Sequence, residues 1–110
     1  MPANRILKIN ELVKKYISET ILRELSLKNG VFLTIAKVDT SSDLRYTRVF
    51  ISVFPENEFD YALKTLAKEI HLIQQNLNQK LRIKPFPRIS FIKDFTEVKA
   101  DKIEKLLKEL

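Results

Sequence analysis

Between Phe59 and Leu81 apolar side chains return at helical intervals, with no proline or glycine to interrupt them. Phe59, Leu63, Leu66, Ile70, Ile73, Leu77 and Leu81 fall within about 80° of one another at 3.6 residues per turn. Asn57, with Asp60 three residues on, reads as a helix N-cap, and Glu56 and Glu58 suit the positive end of the helix dipole. Pro85 and Pro87 close the run. Straight from Asn57 to Arg82, this helix would measure about 39 Å. A domain of 110 residues has one core and a radius of gyration of only roughly 13 Å. The helix must therefore kink or break, and the expected place is between Glu69 and Gln79. Leu72 points away from the stripe of a straight helix, and a change of direction would bury it. Neither proline nor glycine supplies a local cause.

The rest of the chain is arranged around this helix. Residues from about Asn4 to Leu25 read as an amphipathic helix with Ile6, Ile9, Val13, Tyr16 and Ile17 on one side. Lys28-Asn29-Gly30 is expected to stop it, with Gly30 at positive φ. Val31 to Val38 is a strand, Asp39 to Asp43 is turn chemistry, and Tyr46 to Phe54 is a second strand, giving an antiparallel hairpin. Arg88 to Lys93 is a third strand, and residues from about Thr96 to Leu110 form a short helix with Val98, Ile103, Leu106, Leu107 and Leu110 apolar. The order is α-β-β-α-β-α in a single domain spanning residues 1–110, an α+β fold with helices packed on a small sheet.

Several function classes are excluded by what is scarce. Gly30 is the only glycine, which rules out a P-loop, a dinucleotide-binding turn and the GxxG loop of ordinary KH domains. No cysteine and a single histidine leave little to hold zinc, and no paired carboxylates or nucleophile–base motif suggests an enzyme. No cofactor is expected. No apolar run approaches a bilayer span, and the start of the chain lacks a signal-peptide pattern, so a cytoplasmic location is expected.

Charge carries the functional signal. The chain has a net charge of +6, and the stretch from Tyr61 to Lys93 holds all of it: Lys64, Lys68, Lys80, Arg82, Lys84, Arg88 and Lys93 stand against Glu69 alone, seven minus one. Elsewhere thirteen basic side chains balance thirteen acidic ones. Solubility alone normally mixes signs, so a segregated surplus points to a polyanion. On the helical wheel Lys64, Lys68, His71, Gln75, Asn78 and Arg82 share an arc of about 80° beside the apolar stripe. Cationic donors suit phosphates, and Gln, Asn and His suit the base edges of irregular RNA. The candidate RNA-binding residues are Lys64, Lys68, His71, Gln75, Lys80, Arg82, Lys84 and Arg88. Tyr46 and Phe50 could stack on bases or pack within the sheet.

The motifs carry a resemblance. Arg5-Ile6 opens the first helix; Val38-Asp39 and Ser42-Asp43-Leu44 flank the hairpin turn. Val49-Phe50-Ile51-Ser52-Val53 forms the second strand, and Pro87-Arg88-Ile89-Ser90-Phe91 leads to Asp94. In this order and spacing the chain resembles the ribosome-binding factor A family over nearly its whole length. The resemblance implies a type II KH-like fold, α-β-β-α(kinked)-β with a short C-terminal helix and helices on one face of a three-stranded sheet. Its bend usually carries Ala-x-Gly, for which this chain has Glu69-Ile70-His71. Two usual arginines appear as Gln74 and Lys84, and the usual acid after the second proline is Arg88. Lys84 keeps a point charge without bidentate geometry. By the same resemblance the protein would be a monomeric, non-enzymatic assembly factor. It would bind immature 30S particles and 16S rRNA and assist late rRNA maturation, including the 5′ end, with a role in cold adaptation. No membrane or small-molecule substrate is expected. The alternative is a protein-interaction module using the C-terminal amphipathic helix through Val98, Ile103 and Leu107.

Overall fold

The computed structural model of the protein describes residues 2–95. The helix expected beyond Thr96, and with it the alternative built on Val98, Ile103 and Leu107, lies outside the described residues. Helix α1 spans Pro2–Glu24 and buries Ile9, Val13, Ile17 and Thr20 at three- and four-residue steps. The Thr20 hydroxyl donates to the Tyr16 carbonyl at 2.9 Å, so its burial leaves no orphaned donor. Gly30 does adopt positive φ, at 86°, but it does not cap the helix. Leu25 and Leu27 pack against the core and draw the chain out of the helix first. Gly30 then sits in a separate turn, closed by the Val31 N–H donating to the Lys28 carbonyl at 3.2 Å.

Strands β1, Phe32–Thr40, and β2, Tyr46–Phe54, form the expected antiparallel hairpin. β1 runs on through Asp39 and Thr40, which the sequence assigns to the turn. There the Thr40 and Thr47 hydroxyls meet at 3.1 Å inside the core and hold the pair in the ladder. Its register shifts between Ile35 and Lys37, leaving Ala36 as a bulge. The reason is spacing. Ile35 and Val38 both face the helices, opposite Ile51 and Val49, but three residues separate them on β1 and two on β2. One extra residue reconciles the two patterns.

After Pro55 the chain makes a 3₁₀ turn, Glu56–Glu58, and then helix α2, Phe59–Lys68. Asn57 lies inside that turn and caps nothing. No side chain hydrogen-bonds the start of α2, whose N-cap position falls on Glu58, one residue later than the sequence suggests. The long helix breaks at Glu69, at the near edge of the expected window, and resumes as α3, Ile70–Leu81. Glu69 has φ −101° and ψ 9°, and its N–H reaches the Leu66 carbonyl at 3.1 Å in a tightened last turn. The break thus forms without Ala-x-Gly. α2 buries Ala62 and Leu66 and α3 buries Ile73, Leu77 and Leu81, whereas Leu72, expected to be buried by the change of direction, is only half-buried and stays outside the core.

Strand β3, Arg88–Lys93, lies parallel to β2, giving the order β1-β2-β3 with β1 and β3 at the edges. The three described helices serve one face: α1 packs on β1 and α3, and α2 packs on β2. The core is Ile9, Val13 and Ile17 of α1, Ile35, Val49, Ile51 and Val53 of the hairpin, the buried side chains of α2 and α3, and Ile89. Each such aliphatic contributes about 1.5–3 kcal/mol by leaving water.

The hairpin turn adds a pH-dependent element. The Ser41 hydroxyl donates to Asp43 Oδ1 at 2.5 Å and the Arg45 N–H donates to the same oxygen at 3.1 Å. These bonds, the Ser41 bond first, hold the Asp43 carboxyl below the usual aspartate range. A depressed folded value means the contribution is complete above the unfolded aspartate pKa, about 3.9, and is lost as pH falls through the folded value. Thermal melts from neutral pH downward should therefore show an acid limb that is shallower in Asp43→Asn than in the native protein. Identical limbs would remove Asp43 from the acid response.

Candidate nucleic-acid interface

The break at Glu69 divides the expected stripe of donors into separate groups. α2 presents Lys64 and Lys68 one turn apart, both exposed. α3 presents His71 and Gln75 one turn apart, also exposed. Arg82, Lys84 and Arg88 follow around the α3–β3 connection, all exposed. A wheel drawn through residues 57–82 assumes one axis, and the break gives the protein two.

One candidate residue, Lys80, and one member of the stripe, Asn78, are engaged elsewhere. Lys80 turns to α1, where its Nζ lies 3.7 Å from a Glu19 carboxylate oxygen and 5.7 Å from the centre of the Tyr16 ring. Its charge is thus partly answered by an acid from another helix. Asn78 is half-buried and accepts a hydrogen bond from Gln74 at 2.8 Å. Among the described residues no carboxylate stands within ion-pair distance of Lys64, Lys68, Arg82, Lys84 or Arg88. Even Asp60, one turn before Lys64 on α2, makes no ion pair with it. Among the described residues these five cations therefore carry no ion pair.

Arg82 is held at φ 53° and ψ 38°, the left-handed conformation that ends α3, and its N–H bonds the Asn78 carbonyl at 3.2 Å. Glycine is the usual residue here, because a Cβ in this conformation costs about 1–2 kcal/mol. The negative end of the α3 dipole repays part of that cost to a cation. The arginine therefore stands where backbone geometry alone would select glycine.

Gln74 is the residue that sequence reasoning missed. Its Nε2 donates to the Pro87 carbonyl at 2.9 Å and its Oε1 accepts from the Ile89 N–H at 2.9 Å. The carboxamide thus brackets Arg88, gripping the backbone on either side of it, while Arg88 itself stays exposed. A basic side chain at position 74 could donate to Pro87 but could not accept from Ile89. No periodicity announces this role, because the partners are backbone groups thirteen and fifteen residues away.

Two outcomes follow. Gln74→Ala, which strands the Pro87 carbonyl and the Ile89 N–H, should cost about 2–3 kcal/mol in urea denaturation. Arg82→Gly should instead gain about 0.5–1 kcal/mol, the relieved strain less the flexibility of glycine. A loss of stability in Arg82→Gly would show that the arginine serves the fold rather than the surface.

Comparison with known proteins places the chain. The family model described as ribosome-binding factor A matches residues 5–107. A ribosome-binding factor A of Natranaerobius thermophilus is 36% identical over 104 residues, covering 94% of this chain and 79% of that protein. The crystal structure of ribosome-binding factor A from Thermus thermophilus superposes with a TM-score of 0.66 at 23% identity, covering 80% of this chain and 94% of that one. A homology model of the Thermus thermophilus factor, fitted into a cryo-electron-microscopy map of a complex of the 30S particle with that factor, gives a TM-score of 0.65 at 23% identity over 77% of this chain and 90% of that one. With the α-β-β-α-break-α-β order and the three-stranded mixed sheet, these matches show that the chain belongs to the ribosome-binding factor A family.

Proposed function

We propose that the protein binds immature 30S particles through 16S rRNA and assists late maturation of that RNA, including its 5′ end, without catalysing a reaction. The observation that carries this reading is the set of cations without an ion pair among the described residues: Lys64 and Lys68 on α2, and Arg82, Lys84 and Arg88 around the end of α3 and the start of β3. His71 and Gln75 add hydrogen-bonding groups in the first turns of α3, and Lys80, shared with Glu19, contributes less. Phosphates of folded RNA are the partner that such donors select. Family membership and the complex of the Thermus thermophilus factor with the 30S particle support the same reading.

The mechanism is a shift of populations. A rigid domain that docks on one conformation of the maturing RNA stabilises it by its differential affinity, and no bond need break. We place this activity in a single monomeric domain in the cytoplasm, of service in cold adaptation, where misfolded RNA conformations persist longest. No helix among the described residues is long and apolar enough to cross a membrane, and no described group of His, Asp and Glu side chains could hold a metal ion.

Co-sedimentation with immature 30S particles at rising salt tests the reading. Affinity should fall steeply as salt rises, because each neutralised phosphate releases counterions, with a log–log slope of roughly −0.7 to −0.9 per contact. The combined variant Lys64→Glu, Lys68→Glu and Arg82→Glu should melt like the native protein yet fail to pellet with the particles. A folded triple variant that still pellets at every salt concentration would dismiss these residues from the interface.

A further inference from the structure

The face of the sheet turned away from the helices is built in an unusual way. Along β2 the inward positions are buried and apolar or threonine, while Tyr46, Phe50 and Phe54 point outward at every fourth residue, about 13 Å apart. Tyr46 is 58% exposed and Phe54 70%, and Phe32, directly opposite Phe54 on β1, is 65% exposed. Rings so placed contribute little to the core.

Cations are interleaved with the rings. Lys37 Nζ stands 4.6 Å from the centre of the Phe50 ring and Arg48 Cζ stands 5.7 Å from it. Arg88 of β3 lies opposite Tyr46 in the ladder. Asp39, an acid on this face, is ion-paired with Arg48. An apolar protein partner would need the rings but would have to desolvate Lys37 and Arg88 without answering them. A single-stranded nucleic acid answers both, because every base offers a π-face for a ring and every linkage offers a phosphate for a cation. Arg88 also belongs to the candidate phosphate-binding set, so the two surfaces are continuous through it.

We propose that the open face of the sheet is a stacking platform for unpaired bases of single-stranded RNA, with Tyr46, Phe54 and Phe32 as the stacking rings and Lys37 and Arg88 holding the backbone. The platform rests on the RNA-binding reading above and extends it. The cations of α2 and the α3–β3 connection grip phosphates of folded RNA, while the sheet selects a segment whose bases are free. Duplex RNA, whose bases are already stacked, gains nothing from this face.

The test uses the full chain with two probes, a fluorescent oligouridine of about twelve nucleotides and an RNA duplex of the same length. Phe32→Ala, Tyr46→Ala and Phe54→Ala together should weaken oligouridine binding about tenfold or more and leave duplex binding within about twofold. The Lys64→Glu, Lys68→Glu, Arg82→Glu variant should weaken both. A second readout does not depend on the triple variant folding. The chain has no tryptophan, so its fluorescence comes from tyrosine, and oligouridine should quench it. Tyr46→Phe keeps a ring, so it should bind as tightly as the native protein while losing that quench. Should the aromatic variant bind oligouridine like the native protein, or the quench survive in Tyr46→Phe, the platform is overturned and the face belongs to a protein partner or to residues 96–110. Failure of the native chain to bind oligouridine overturns it as well. In each case co-sedimentation with 30S particles decides the RNA-binding reading separately: it stands if the native chain pellets with them in a salt-dependent way, and it falls if the native chain does not.

Discussion

The interruption of the second helix at Glu69 is the constraint on which the remaining geometry depends. A small three-stranded sheet presents one short apolar face, and a straight rod of residues 57–82 could lay only part of its length on it. Broken, the segment packs twice: α2 against β2 and α3 against α1. Ala62 and Leu66 are buried on one side of the break and Ile73 and Leu77 on the other. The same break sends the basic residues of the two helices along separate axes, so packing of the core and arrangement of the surface have one cause. It requires no glycine, because a single tightened turn at φ −101° suffices to change the helix direction.

Polar side chains then pin what the apolar contacts leave adjustable. Gln74 ties α3 to the start of β3 through two backbone groups, and the Thr40–Thr47 hydroxyl pair closes the hairpin from within. Lys28 joins the α1–β1 connection to the start of α2, with its N–H donating to the Tyr61 hydroxyl at 3.0 Å and its ammonium 2.8 Å from Glu58. The Lys28–Glu58 pair, partly in water, adds little energy. Together such bonds set the placement of the connecting segments that carry function.

Much of this was legible from periodicity. α1 and β2 stand where spacing puts them, because a helix or strand with one wet face must alternate to suit it. The break was legible from length alone, although its position at Glu69 depends on contacts with β2 and α1 that no local pattern encodes. The start of α2 and the role of Gly30 were misjudged for a related reason: Asn57 and Gly30 each have suitable local chemistry, but Leu25, Leu27 and Phe59, packed against the core, decide where the helices begin and end. In the candidate interface, exposure of the lysines and arginines followed from the cost of burying charge. The diversion of Lys80 to Glu19 and of Asn78 to Gln74 did not, since each depends on a neighbour brought near only by the fold. Tyr46 and Phe50 were visible as aromatic strand residues, and only the packing of the elements shows that no described helix covers their face.

The bulge at Ala36 has a consequence beyond register. β1 is an outer strand, and its backbone could in principle recruit a strand from another molecule, as the unguarded rims of sheets do when they seed fibrils. A residue inserted midway twists that rim and spoils the even spacing of its donors and acceptors. Lys37, immediately beside it, adds a charge that a flat intermolecular ladder would have to repeat at close range. The extra residue that lets Ile35 and Val38 share one core thereby also guards the molecule against self-templated assembly.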